Sequence, residues 1–527
     1  MTTFVRPEPR AGIPIVPGGL AAGIGLLAAA AAVGVGHLLG AVIAPTSSPF
    51  VAVADTVIRL SPTWLTEFGK SFGPEVDKVV LQVGVAVVLA VAAAIAGYAS
   101  RAERKPGVTT LAVLGGIGIA AVVFGPVFSP LDLVAPAAAL VVGVVAFRAL
   151  HERAQRYVEV APGDDAERVS RRRVLIGGSA AAGLLAVGGG AGGQLLGGGG
   201  TPDARRLVTD QLATAARSVS APPVPAGAAY PELGATPFIT PNDSFYRIDT
   251  ALRIPRIDPA TWSLRVHGMV DRELTLSFAD LLARPLVERT VTLACVSNEV
   301  GGDLISTATF VGVDLREILA EAGVRAGADQ VFTTSSDGWY TGTPTDVVME
   351  AGRGAMLAVG MNGEALPHEH GFPVRMVVPG LYGYVSATKW IVDMELTTFK
   401  AKAAYWLERG WSERGPIKTQ SRIDLPGPQE RVPPGAVTVA GVAWAQHVGI
   451  DAVEVRVDGG PWRRAELAPE VSVDTWRMWR TDVVLGPGSH TVQARAVDRT
   501  GATQPEAAAP PAPDGATGWP ATIFSVG

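Results

Sequence analysis

A single cysteine, Cys295, stands in a chain of 527 residues. That scarcity excludes an intramolecular disulfide, a cysteine-rich zinc site, an iron–sulfur cluster and covalent C-x-x-C-H haem attachment. Any metal chemistry uses this one thiol or avoids it. Charge is sparse as well: Asp, Glu, Lys and Arg make up 18% of the chain and the net charge is −5. No long Lys/Arg run is interleaved with aromatics, which removes nucleic acid as a partner. Apolar residues are in excess at 48%, with a mean hydropathy of +0.28 that is high for a wholly soluble protein.

The excess is concentrated in the first 200 or so residues. Five stretches there are long enough, at roughly 17 to 25 residues, to cross a bilayer as helices. They run about Gly19 to Ile43, Val79 to Tyr98, Val108 to Phe128, Leu131 to Leu150 and Val174 to Leu196, and predict an N-terminal bundle of about five transmembrane helices over residues 1–197. Arg6 and Arg10, then Arg101, Arg104 and Lys105, then the arginines between Arg148 and Arg173 all fall on one side of such a bundle. The positive-inside rule therefore predicts a multi-pass protein of the cell membrane, its N-terminus cytoplasmic and everything after Leu196 extracytoplasmic. The run Ser170-Arg171-Arg172-Arg173-Val174-Leu175-Ile176 resembles the twin-arginine export signal, which moves folded, cofactor-loaded proteins; it also reads as simple flanking charge. Only His37 lies within a span, so a haem held by facing histidines is not expected and the helices read as an anchor or a docking surface for an electron-transfer partner.

After the spans, residues 198–235 are rich in Gly, Pro and Ala and read as a linker. From residue 236 to 425, β-rich runs (Trp262 to Val266, Thr290 to Cys295, Val374 to Val378) alternate with helical patterns (Ser277 to Ala283, Leu315 to Ala322), which predicts an α+β domain. Residues 426–527 change to short strands at regular spacing: Val437 to Val442, Ala452 to Val457, Trp476 to Val484 and Gly488 to Ala496. Turns at Asp458-Gly459-Gly460 and Pro487-Gly488 separate them, the pattern of an immunoglobulin-like β-sandwich.

In Val291-Thr292-Leu293-Ala294-Cys295-Val296-Ser297-Asn298 the strand alternation ends in a Gly-containing loop, so the cysteine lies where a strand opens. A lone cysteine is either a small buried hydrophobe or a soft ligand, and one thiolate suffices for a redox metal when an organic cofactor brings the other sulfurs. Further on come His370-Gly371-Phe372-Pro373-Val374-Arg375-Met376-Val377-Val378-Pro379-Gly380 and Tyr382-Gly383-Tyr384-Val385-Ser386-Ala387-Thr388-Lys389-Trp390, preceded by Met361-Asn362-Gly363-Glu364-Ala365-Leu366-Pro367. These passages resemble the molybdopterin-binding segment of the sulfite oxidase family, and Ala294-Cys295-Val296-Ser297-Asn298 resembles its molybdenum-cysteine loop. The terminal sandwich is similar to that family's dimerisation domain in Asp458-Gly459-Gly460 and Arg495-Ala496-Val497-Asp498, so the resemblance spans roughly residues 236 to 510.

The resemblance implies a molybdenum cofactor (molybdopterin), with Cys295 as metal ligand and catalytic residue, oxygen-atom transfer on a small, sulfur-containing substrate, and a homodimer. It implies cofactor contacts from Asp243, Phe245 and Tyr246 and from the Cys295 loop with Ser297 and Asn298. Asp337, His370, Arg375, Ser386, Thr388 and Lys389 complete the set. Arg375 can grip phosphate bidentately, Lys389 adds charge and His370 can hydrogen-bond the pterin or phosphate, while Arg247 is the candidate substrate contact. Two departures concern the substrate. Where the family's cysteine loop continues as Gly-Asn-Arg-Arg, this chain has Ser297-Asn298-Glu299-Val300, and Trp411 stands where the family places a pocket tyrosine. Reduction of an S-oxide, of the methionine sulfoxide type, is therefore an alternative direction. A cofactor-free membrane receptor using its sandwich for binding is the alternative from another class.

Overall fold

A computed structural model of the chain describes residues 15–62, 65, 68–69, 76–125, 128–159, 180, 188, 202–252 and 254–527. They belong to two compact units, residues 1–199 and 200–527.

In the first unit four helices are long and apolar enough to cross a membrane: Gly18–Ile43, Val76–Ala99, Lys105–Val123 and the stretch Pro130–Arg156, which opens with a 3-10 turn. They coincide with four of the five stretches read from hydropathy; the fifth, Val174 to Leu196, and the Arg171–Arg173 run lie outside the described residues save for two isolated positions. Close helix crossing explains the glycines. A Cβ on Gly25 would sit 2.0 Å from the Ala93 carbonyl oxygen and one on Gly97 would sit 2.2 Å from that of Ala21, so the two backbones touch. A further helix, Pro49–Leu60, follows the first span. At twelve residues it is too short to register as a span.

The second unit begins earlier than composition suggests. Residues expected to form a linker instead make the helix Pro202–Thr214 and the strand Arg217–Val219. Val208 and Leu212, one helical turn apart, are 4% and 3% exposed in the main core, and the strand pairs in parallel with Leu286–Ala294. The linker reading is corrected on that ground: two apolar side chains at i, i+4 outweigh the flanking Gly and Pro.

The α+β region follows. One sheet orders Arg217–Val219, Leu286–Ala294, Ile305–Asp314, Met356–Met361 and Arg375–Val377, with Glu364–Ala365 paired to Met356–Met361. The other orders Leu274–Ser277, Ser263–Gly268, Ile391–Thr397, Gln330–Ser335 and Tyr340–Pro344. Helix Leu315–Ala322 runs between the two residues that bound it: Asp314 accepts from the Arg316 amide at its start, and Gly323 ends it at a φ of 73°.

Two further sheets close the unit. They are Gln420–Leu425, Gly435–Trp444, Arg477–Leu485 and Glu466–Leu467, and Arg431–Val432, Ala521–Val526, Gly488–Asp498, Ile450–Val457 and Arg463–Arg464. Val437, Val439, Trp479 and Val483 of the first share a core with Val453, Val455, Val492, Ala494 and Phe524 of the second. Gln420–Leu425 already belongs to this part, so the boundary lies before residue 426. Trp444, Trp476 and Met478 join the core of the α+β region, which makes its hydrophobic interior continuous with the terminal sheets.

Candidate functional site

Cys295 sits one residue past the end of the strand Leu286–Ala294, half-buried. Its amide donates to the Leu304 carbonyl at 2.9 Å, and the Ser297 amide points at its Sγ at 3.4 Å, a contact that favours the thiolate. Asn298, 5% exposed, closes the loop by accepting from the Leu304 amide at 2.9 Å. Glu299, the next residue, faces solvent.

The strand carrying the cysteine is clamped from the terminal sheets. The Thr292 amide donates to the Asp474 carbonyl at 2.9 Å and the Trp476 amide donates to Thr292 Oγ1 at 2.7 Å. The indole of Trp476 reaches the Phe238 carbonyl at 2.9 Å.

Two tyrosines lie within electrostatic reach of the thiol. The Tyr246 hydroxyl is held well above the usual phenol range by burial, and it feels both Cys295 and the guanidinium of Arg375. Burial pushes Tyr382 up to about 12, with Cys295 again among the charges it feels. Between Tyr382 and Tyr384, Gly383 is the close approach: a Cβ there would lie 3.5 Å from the Tyr246 hydroxyl and 3.7 Å from the Ala294 carbonyl oxygen.

Arg375 carries the strongest signal for a bound anion, and His370 beside it offers an open nitrogen. Arg375 is 3% exposed, and among the described residues no carboxylate pairs with it; its one hydrogen bond runs from a terminal nitrogen to the His370 carbonyl at 3.3 Å, and its Nε is buried without an acceptor. Burial lowers its pKa to about 10. A guanidinium desolvated without a counter-ion costs several kcal/mol on the scale of about 3 to 5 kcal/mol for a broken buried pair, so it calls for an anion. His370, 2% exposed, has Nε2 2.9 Å from the Asn242 carbonyl, and its Nδ1 is buried with no hydrogen-bond partner among the described residues. Burial and the nearby Lys389 and Arg375 charges lower its pKa to about 3, so the ring is neutral at ordinary pH. With Nε2–H donated to Asn242, Nδ1 is left as an acceptor.

Lys389, lowered to about 8 by burial, bonds the Asp249 carboxylate at 3.2 Å and the Glu369 carbonyl at 3.0 Å. Arg247, the candidate substrate contact, places Nε 3.0 Å from the same Asp249 oxygen. Phe245 is buried edge-on to His370, with ring centroids 5.3 Å apart. Asp337 is half-buried, its carboxyl pushed up by burial, and it feels Asp249 and Lys389.

Three other expected contacts have side chains engaged elsewhere. Asp243 is exposed and accepts from the Ser244 hydroxyl. The Ser386 hydroxyl donates to the Leu381 and Tyr382 carbonyls at 3.0 Å, and Thr388 bonds Thr333 at 2.6 Å. Ser386 and Thr388 shape the loop; their hydroxyls do not point at an open partner.

The sequence reading passed over Asp249, Asn242 and Arg205, and gave Tyr382 no role beyond its place in the motif. Arg205 lies on the unexpected helix and fastens the segment before His368–His370, donating to the Ala365 and Leu366 carbonyls and pairing with Glu364 at 2.8 Å. Asp249 pairs with Arg247 two residues away, but no local pattern marks its other partner, Lys389, 140 residues away.

Among the described residues no group of three or more His, Cys, Asp or Glu could hold a metal ion. A metal bound here would rely on Cys295 together with ligands that an organic cofactor brings; the uncompensated Arg375 fits the phosphate-bearing end of such a cofactor, and the open His370 Nδ1, an acceptor, fits an N–H donor of its ring system.

Family models for an oxidoreductase molybdopterin-binding domain and for a Mo-co oxidoreductase dimerisation domain match residues 251–406 and 415–510. Sulfite oxidase of Gallus gallus is 31% identical over 329 residues, which cover 53% of this chain and 71% of that protein. Mitochondrial sulfite oxidase of Homo sapiens is 32% identical over 328 residues, covering 53% of this chain and 60% of its own. Among solved structures, the sulfane dehydrogenase SoxCD of Paracoccus pantotrophus covers 57% of this chain and 88% of its own, at 24% identity and a TM-score of 0.49.

Proposed function

From the premise that this chain belongs to the sulfite oxidase family and is a molybdopterin-dependent oxidoreductase, we propose that it is anchored in the cell membrane and transfers an oxygen atom to or from a small sulfur-containing substrate. When bound, the cofactor supplies two-electron redox chemistry. Cys295 would hold its metal, and Arg375, His370 and Lys389 would hold its pterin and phosphate. The carrying observation is the buried Arg375 with no carboxylate partner among the described residues, in electrostatic reach of the Tyr246 that also feels Cys295. A structural arginine would bring its own counter-ion.

The residues around the cofactor have separable tasks. The Ser297 amide favours the thiolate, neutral His370 offers an acceptor, and Tyr246 and Tyr382 stay protonated. Arg247 is the substrate contact in this reading.

Membrane anchoring is supported by the outward face of helix Val76–Ala99, where Val79, Val83, Val87, Val91 and Ile95 are each more than half exposed at four-residue spacing. Such an apolar stripe suits lipid. The dimerisation-type terminal region supports a homodimer, and an electron-transfer partner completes the cycle.

The S-oxide reductase direction is favoured by one observation: Glu299 faces solvent and Val300 supplies no cation, so the cysteine loop offers an anion nothing. Metal and pterin analysis of the purified protein tests the whole reading. One molybdenum and one molybdopterin per chain are expected, whereas a metal-free, pterin-free protein from a host that makes the cofactor would favour the receptor alternative.

A further inference from the structure

Two cations converge on one acid beside the site. Asp249, its side chain 5% exposed, accepts from Arg247 Nε at 3.0 Å and from Lys389 Nζ at 3.2 Å. Lys389 is 11% exposed and Arg247 38%, so the triad runs from the interior toward the surface, while Arg375 keeps its charge uncompensated deeper in. Among the described residues the acid is shared between these two cations. Arg247 uses only its Nε; among the described residues its terminal nitrogens make no hydrogen bond.

We infer that Asp249 sets substrate charge preference: by holding Arg247 Nε and Lys389 Nζ it leaves the terminal N–H groups of Arg247 as donors for a neutral oxo substrate and repels an anion. The inference rests on the proposed placement of substrate at Arg247. An incoming anion meets in Arg247 a cation already shared with a fixed carboxylate, and at low local dielectric that carboxylate also repels it. A neutral S-oxide oxygen accepts from the guanidinium without that repulsion. Asp249 touches no reacting atom in this account; it positions Arg247 and fixes the local charge.

The test uses the loaded, full-length enzyme and its Asp249→Asn variant, with sulfate as a non-reacting anion probe. Sulfate binding is read from its shift of the melting temperature at constant ionic strength, and from competition with turnover of dimethyl sulfoxide and of sulfite. Asp249→Asn at parental molybdenum content is expected to bind sulfate at least about tenfold more tightly, a modest share of what one charge at contact distance contributes. Its kcat/KM for sulfite should rise while that for dimethyl sulfoxide falls, and adding Arg247→Gln should remove the gained sulfate affinity. Unchanged sulfate affinity overturns the inference, as do equal losses on both substrates or loss of molybdenum from Asp249→Asn, which would tie the acid to the cofactor. Tighter sulfate that does not compete with turnover supports the charge role of Asp249 and instead removes substrate from Arg247, so failure of the functional reading is told apart.

Discussion

The Trp476 amide donates to the Thr292 hydroxyl at 2.7 Å, joining the terminal sheets to the strand that ends one residue before Cys295. Thr292 is fully buried, so Thr292→Val keeps the shape and leaves the Trp476 N–H without its acceptor. A buried unmatched donor costs about 1–3 kcal/mol. The midpoint of urea unfolding should fall accordingly; an unchanged midpoint would show that this bond contributes nothing to holding the cysteine strand.

Cys295→Ser should abolish turnover while leaving the fold intact, because serine removes the soft ligand and changes little else at a half-buried loop position. Circular dichroism and activity with an artificial dye check both halves. Retained turnover at parental molybdenum loading would remove Cys295 from the metal.

His370 gives an acid-side prediction. Its folded pKa, about 3, lies below the unfolded value near 6.5, so below pH 6.5 the unfolded chain binds a proton that the native ring refuses. Stability from this residue is complete above pH 6.5 and is lost as pH falls toward 3, at roughly 1.4 kcal/mol per pH unit. In cofactor-free protein, His370→Gln should flatten the acid limb of stability against pH over that window. Parallel limbs in the two proteins would contradict it.

Export is tested at Arg171, Arg172 and Arg173. Replacing all three with glutamine should leave the catalytic region protected from protease added to intact spheroplasts, if the region crosses already folded. Cleavage as ready as in the parent would sink the folded-export reading.

Sulfite should be a poor substrate beside a neutral S-oxide, since each charge-assisted bond withheld from a dianion costs about 1.5 to 3 kcal/mol. Val300→Arg restores a cation on the cysteine loop and should raise kcat/KM for sulfite at least several-fold. A parent enzyme already oxidising sulfite within the range of about 10⁴ to 10⁸ M⁻¹s⁻¹ would refute this view of the pocket.

The sequence by itself determined whatever depends on neighbours along the chain. Helix Leu315–Ala322 appeared in full because Asp314 starts it and Gly323 stops it, both within one turn of its ends. Four long apolar helices were legible from hydropathy, and period-two alternation followed by a polar, Gly-bearing loop located Cys295 at a strand end. Arg375 and His370 were named from motif. That both are buried with unmatched nitrogens, which is what gives them meaning, required the structure.

Only the tertiary structure decided what depends on distant partners. Helix Pro202–Thr214 was masked by Gly and Pro on either side, and its worth lies in Val208 and Leu212 entering a core built far downstream. The domain border moved because Gln420–Leu425 pairs with Gly435–Trp444, a pairing that no local pattern shows. Thr292 and Trp476 lie 184 residues apart, and Asp249 and Lys389 lie 140 apart. Burial and charge pairing are properties of the folded surround, so the polarity of the pocket became readable only when those residues were brought together.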